Sequence, residues 1–317
     1  VPQEKIMATS GSTDFSVDRD TIITEALEHI GVLAEGDSPT AAQLTSCART
    51  LNMMVKSWQT DNLHLHAIKK AYLFLAKNTH EYSLSSSGDN YTYSYVKTQI
   101  DTACSSGDSI IYVDSISGIS SADYIGIELD DGTVQWTTVN GVPSGSAINL
   151  TAALTDDVAV DNYVFAYTTK ADRPMDIVKA SVRNTSDVDV VINTILRSEY
   201  VELSNKTTDG QVSQIWYDRH VGTGTLRTWP ETDDATNILV LWVKRTIEDF
   251  DSATDDIDMP QEAYLAVVFN LAALLGYKYG TPTAILDRIS AKAMGLKDTL
   301  EGYDREDSVM FSPDYRN

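Results

Sequence analysis

Two cysteines in 317 residues, Cys47 and Cys104, are too few for a disulfide-stapled scaffold and match no metal-ligand spacing. Long oily runs are also missing. The longest, residues 263–275, covers 13 positions with Asn270 inside it, whereas a bilayer span needs about 20. The first residues show no basic-then-apolar leader. Positive charge is scarce: 24 Lys and Arg stand against 46 Asp and Glu, a net charge of −22. From Thr98 to Thr169 there is no Lys or Arg at all, while ten carboxylates fall in that window. Such a module cannot grip nucleic acid, because tight binding needs cations that neutralise phosphates and release counterions. The expectation is a soluble, acidic protein made in a reducing compartment, with no membrane contact; the acid bias by itself serves solubility.

Catalytic patterns are lacking as well. No GxSxG, HExxH or Walker sequence occurs, and Gly222-Thr223-Gly224 has no third glycine and reads as a loop. His64 and His66 alternate as on a strand, yet no Cys, Asp or Glu accompanies them at ligand spacing. His29, His80 and His220 have no nucleophile in a recognised pattern. Asp251, Asp255, Asp256 and Asp258 lack the glycine and terminal glutamate of a calcium loop, and Asp130-Asp131-Gly132 fails the same test, so only loose cation binding stays open. All five tryptophans, Trp58, Trp136, Trp216, Trp229 and Trp242, are expected in cores rather than as sugar platforms. The catalytic, metal and cofactor sets are therefore expected to be empty, and the chain is read as a protein that assembles rather than an enzyme.

What is present is helical period at both ends and strand period between them. Ile22, Ile23, Ala26, Leu27 and Ile30 recur at helix spacing behind a cap at Ser16, with Gly31 as the stop. Ser38 and Pro39 open a second helix whose stripe is Leu44, Cys47, Ala48, Leu51, Met54, Val55 and Trp58. At the far end Pro260 opens an apolar helix that Gly276 and Gly280 close, and Thr281-Pro282 starts a last one carrying Ile285, Leu286 and Ile289. Between them the predicted strands are 71–75, 82–84, one placing Tyr91, Tyr93 and Tyr95 on a single face, then 109–113, 124–129, 133–139, 147–150 and 163–167. A second β region follows with 177–182, 188–192, 214–217, 226–229 and 238–243, interrupted by a short helix at 198–203. Asp130-Asp131-Gly132 is a hairpin signal. Residues 249–258 read as an acidic linker.

These patterns predict an α+β protein. Residues 1–15 form a flexible arm, 16–66 with 259–303 a helical bundle, and 67–96 with 170–250 a β-rich region. Residues 97–169 form an acidic inserted β domain, a small barrel or sandwich, and 304–317 a C-terminal extension. The bundle core is expected to hold Ile23, Leu27, Leu44, Leu51, Val55, Trp58, Leu265, Phe269, Leu286 and Ile289.

Several stretches carry a resemblance. They are Ile22–Thr24 with Gly31-Val32-Leu33, Gly36-Asp37-Ser38-Pro39-Thr40 and Leu51–Trp58. Ile125–Gly132 with Trp136–Val139 follows, then Arg173-Pro174, Glu199-Tyr200, Lys206–Gly210, Trp216–Asp218 and Trp229-Pro230. Asp249–Asp251, Pro260–Glu262, Asn270–Ala272 and the Phe311–Arg316 ending complete the set. In this order and spacing the chain resembles the head-to-tail adaptors (connectors) of tailed bacteriophages, and is similar to tubular tail protein A and the packaged-DNA stabilisation proteins. The resemblance implies a structural virion protein at the head–tail junction, assembled in the host cytoplasm. It implies a homo-oligomeric ring of twelve copies beneath the portal protein, a platform for tail or nozzle proteins, and double-stranded DNA passing through without specific binding. It also maps portal binding to the C-terminal extension, at Val309, Met310, Phe311, Pro313, Tyr315 and Arg316. The competing expectation is a tail-associated carbohydrate-binding or fibre-like protein, which rests on the β content and the strand tryptophans.

Overall fold

In this computed structural model the described residues are 12–59 and 67–303. The chain divides into two compact units. Among the described residues, one takes 12–59 and Ala67 together with 247–303, and the other is Ile68–Thr246.

The first unit is helical. Helix α1 (Arg19–His29) is capped by Asp18, whose carboxylate accepts the Thr21 backbone N–H at 2.8 Å. Hydrogen bonds from Thr21 hold that carboxyl below its usual range. The predicted cap at Ser16 is thus two residues early. Gly31, at φ +71°, does follow the helix end, a left-handed backbone that glycine adopts without strain. Helix α2 (Ala41–Trp58) begins at Thr40, not at Ser38-Pro39. Thr40 and Gln43 form a reciprocal capping box, which satisfies donors that the earlier residues leave open. After a short helix α3 (Arg197–Glu202) in the other unit, the chain returns with a 3-10 turn at Gln261–Ala263, helix α4 (Tyr264–Tyr279) and helix α5 (Thr283–Tyr303). Gly276 lies inside α4 rather than ending it. A Cβ there would stand 2.6 Å from Leu286 Cδ1, so the glycine lets α5 approach closely.

One core joins both chain ends. Helix α4 touches α1, α2 and α5, and α1 touches α2. Ile23, Leu27, Leu51, Val55, Trp58 and Ile289 are buried in this core, with Leu44 and Phe269 half-buried against it. Leu286 is buried beside Gly276. Each fully buried aliphatic chain contributes about 1.5–3 kcal/mol. Leu265 is a correction: it is 51% exposed and lines a surface groove, while Ala266, Val267 and Leu271 hold the covered side of α4. Segment 249–258 is also more than a linker. Phe250 and Ile257 enter the helical core, and the Asn52 side chain pairs with the Phe250 backbone in both directions, at 3.0 and 3.2 Å. Asn270 has a parallel role: it donates to Ala266 O and, across to α5, to Ala293 O at 3.1 Å.

The second unit contains two sheets. Strands β1 (Ile68–Phe74), β2 (Glu81–Leu84), β3 (Tyr91–Thr92), β10 (Asp176–Arg183), β11 (Asp189–Thr194), β12 (Gln214–Arg219), β13 (Gly224–Trp229) and β14 (Ile238–Lys244) form a curled eight-stranded sheet. Its order is β2-β13-β12-β11-β10-β14-β1-β3, antiparallel except between β11 and β12. The remaining strands are β4 (Val96–Thr102), β5 (Ile110–Val113), β6 (Tyr124–Glu128), β7 (Val134–Thr138), β8 (Ala147–Asn149) and β9 (Tyr163–Tyr167). They make an antiparallel near-barrel in the order β7-β6-β9-β4-β5-β8. A bridge between Val139 and Leu150 draws its two ends together. The hairpin at 130–132 joins β6 to β7 with Gly132 at φ +76°.

Two β expectations change. Strand β4 was not predicted, because Lys97, Thr98 and Gln99 blur its alternation, yet it pairs with both β5 and β9. Tyr91, Tyr93 and Tyr95 do not share one strand face: β3 stops after Thr92, whose hydroxyl donates to Thr169 O at 2.8 Å and accepts the Ser94 N–H, turning the chain. Tyr91 stays in the sheet core, and Tyr95 joins an aromatic cluster centred on Phe74. Phe74 lies 4.8 Å from Trp136, 5.3 Å from Phe165 and 5.5 Å from Tyr95, centroid to centroid, and so fastens the near-barrel to the eight-stranded sheet. Gly126 faces Trp136 across the β6–β7 ladder; a Cβ there would meet the indole at 2.6 Å.

Candidate assembly surfaces

The helical unit carries a groove along the flank of α1, α4 and α5. Its larger part, about 710 Å³, is lined by Phe15, Val17, Glu25, His29, Tyr264 and Leu265, among others. Its smaller part, about 340 Å³, runs past Phe269, Ile285, Arg288 and Lys292. The two share His29, whose ring stacks on Phe269 at 4.5 Å. Phe15, Leu265 and Ile285 are exposed, so the groove is apolar and open. Its charge is split: Asp18, Glu25 and Asp256 lie in the larger part, and Arg288 and Lys292 in the smaller. Further along α4 and α5, Leu274, Tyr277 and Met294 are also exposed. Exposed apolar side chains therefore lie on more than one face of α4 and α5.

The β unit has its own surface. Cross-strand register places Lys70, Trp242 and Lys179 side by side on β1, β14 and β10. Trp242, expected in the core, is 43% exposed: its cross-strand neighbours are Lys70, whose ammonium lies over the indole at 5.9 Å, and Lys179. Trp58 is buried as expected. Trp136 is half-buried in the Phe74 cluster, and Trp216 is held between Arg197, Arg227 and Tyr200. Trp229 donates its indole N–H to Asn205 O at 2.8 Å.

Charge is partitioned between the two sheets. Residues 96–167 hold ten carboxylates and a single basic residue, Lys97, whereas the rest of the β unit (68–95 and 168–246) holds thirteen of each sign. In the second set several acids are ion-paired, as in Arg183–Asp189 at 2.7 Å and Arg219–Asp176 at 2.7 Å. His80 pairs with the buried Glu231 at 2.6 Å and so ties the start of β2 to the chain after β13. Cys47 and Cys104 are both buried thiols, and burial pushes the Cys104 thiol up. Among the described residues no three His, Cys, Asp or Glu side chains gather where they could hold a metal ion, and no helix is long and apolar enough to cross a membrane.

The C-terminal residues expected to bind a portal, Val309, Met310, Phe311, Pro313, Tyr315 and Arg316, lie outside the described residues, as do His64 and His66. Sequence reasoning missed the groove. Phe15 and His29 carried no motif, and the only signal was an α4 that is apolar on more sides than its helix neighbours can cover. Compared with models of known protein families and with curated protein sequences, the chain matches none.

Proposed function

We propose that this chain is a structural virion protein, a head-to-tail adaptor. In this reading copies of it close into a ring, twelve in number, below a portal protein, continue the DNA channel and present a platform to tail or nozzle proteins. The resemblance in ordered short motifs suggests the reading, and one observation carries it. Both chain ends build a single helical unit that leaves Leu265, Leu274, Tyr277, Ile285 and Met294 open to water. Such a unit suits a ring wall, where each copy buries what the isolated chain exposes. In sequence the β unit is inserted between the two parts of the helical unit, and a separate module of this kind is consistent with a role in docking other proteins.

Charge fits the same reading. Twelve chains at −22 carry −264 in total, and carboxylates along a bore would repel DNA phosphates at short range and let the duplex slide. In this proposal the segment Asp304–Asn317 reaches the portal, with Phe311 and Tyr315 as anchors.

The experiment is mass photometry of the full chain alone and mixed with its portal, followed by imaging of the complex. Rings on the portal with an acidic lumen are the expected result. A lumen lined by Lys and Arg, or no association with portal, overturns the reading. The carbohydrate-binding alternative has one observation behind it, the exposure of Trp242; glycan-array binding without portal affinity would favour it.

A further inference from the structure

The β unit offers two patches of opposite chemistry. On the eight-stranded sheet, Lys70 and Lys179 flank Trp242 in direct cross-strand positions. Among the described residues neither lysine has a carboxylate within ion-pair distance, and the Lys70 ammonium lies over the Tyr72 and Trp242 rings, 5.6 and 5.9 Å from their centroids. Beside this row stands Val191, 74% exposed, on β11. It shares the sheet face, since the register runs Tyr72–Val240–Ser181–Val191 in the next row. The edge there is open as well. Asn184 N–H bonds Val188 O, which sets the alternation so that Asp189 and Val191 turn their backbone groups away from β10; β12 pairs with β11 only from Asn193 onward.

The near-barrel holds the counterpart. Strand β5 directs Ile110 and Tyr112 outward, at 42% and 40% exposure, while Ile111 and Val113 face the core. At the same alternate positions on either side stand the exposed carboxylates Asp108 and Asp114. One Asp108 oxygen accepts the Ser105 N–H at 2.9 Å. The sequence of this face is acid, aliphatic, aromatic, acid, and no Lys or Arg occurs between Thr98 and Thr169 to neutralise it.

We infer that these two patches meet between copies: the β5 face of one near-barrel docks on the Lys70–Trp242–Lys179 face of the next copy. Tyr112 and Ile110 cover Trp242 and Val191, and the two lysines face the two aspartates. Because the surfaces differ, the contact is head-to-tail and repeats around a closed circle. The inference rests on the proposed ring and adds a β-module contact to the helical wall.

The test is charge exchange in the full chain, assembled on portal and counted by mass photometry. K70E with K179E, and separately D108K with D114K, are each expected to cut ring formation at least tenfold while circular dichroism stays native. The four substitutions together are expected to restore it. A second readout is a Tyr112→Cys, Val191→Cys chain, which under mild oxidation should give a ladder of disulfide-linked multimers. Doubles that assemble like the unaltered chain, a quadruple that does not recover, or an absent ladder each overturn the contact while leaving the ring itself intact. Binding of DNA or of an acidic tail protein to the Lys70–Trp242–Lys179 face, with ring formation unaffected by K70E and K179E, overturns it equally. If the unaltered chain forms no ring on portal, the ring reading fails first and this contact with it.

Discussion

Phe74 shows how much one side chain can decide. It is the last residue of β1, yet its ring touches residues from β4's approach, β7 and β9, so it couples two sheets that share no ladder. Truncation should cost about 3–5 kcal/mol, the range for a buried phenylalanine. Phe74→Ala is therefore expected to lower the urea midpoint of the β unit, and near-ultraviolet circular dichroism should report the loss of the aromatic cluster. Tyr91 predicts the opposite sign. Its ring is fully buried, but its hydroxyl has no hydrogen-bond partner among the described residues. An unsatisfied buried hydroxyl costs about 1–3 kcal/mol, so Tyr91→Phe should leave Tm unchanged or raise it. A drop of several degrees would show that the hydroxyl does have a partner.

At the scale of elements, two asparagines fasten helices to their surroundings. Asn52 on α2 supplies both a donor and an acceptor to the Phe250 backbone, in the manner of a short strand. Asn52→Leu would strip both groups of partners, with an expected loss of about 1–3 kcal/mol from the helical unit. Hydrogen exchange at residues 249–258 should rise with it, and unchanged exchange would contradict the assignment. Such tethers explain why the acidic stretch looked like a linker. Five aspartates dominate its composition, while its order comes from Phe250, Ile257 and a partner nearly 200 positions earlier. Helix caps were misplaced for a related reason. Ser16, Ser38 and Pro39 are legitimate cap signals, but Asp18 and Thr40 also qualify, and only the bonds formed with Thr21 and Gln43 decide among them.

For the whole molecule, tyrosine ionisation gives a global measure of burial. Of sixteen tyrosines, Tyr82 and Tyr217 are pushed up to about 12 by burial, and burial also holds Tyr91 and Tyr167 well above the usual value. Their folded values exceed the unfolded value of 10.0, so the stability they contribute is complete below pH 10 and is lost as pH rises toward 12. Absorbance at 295 nm should show a late, cooperative set of phenols that ionise together with unfolding. A single smooth step near 10 with native circular dichroism would contradict this. The second whole-molecule prediction concerns the C-terminus: a chain without Asp304–Asn317 should keep native circular dichroism yet no longer be pulled down by portal. Retained binding would remove that segment from the proposed docking role.

The residues alone determined where most elements lie, because the apolar period of a helix or strand is written locally. Leu51, Val55 and Trp58 mark α2, and Tyr163–Tyr167 mark β9. They also determined the charge zoning, since counting carboxylates needs no coordinates. Tertiary structure decided which periodic faces find a cover. Leu265 and Trp242 have the same local pattern as buried neighbours, but the residues opposite them are a groove in one case and two lysines in the other. Burial depends on partners distant along the chain, and those partners exist only once both ends have met in one helical core and the near-barrel has closed onto Phe74.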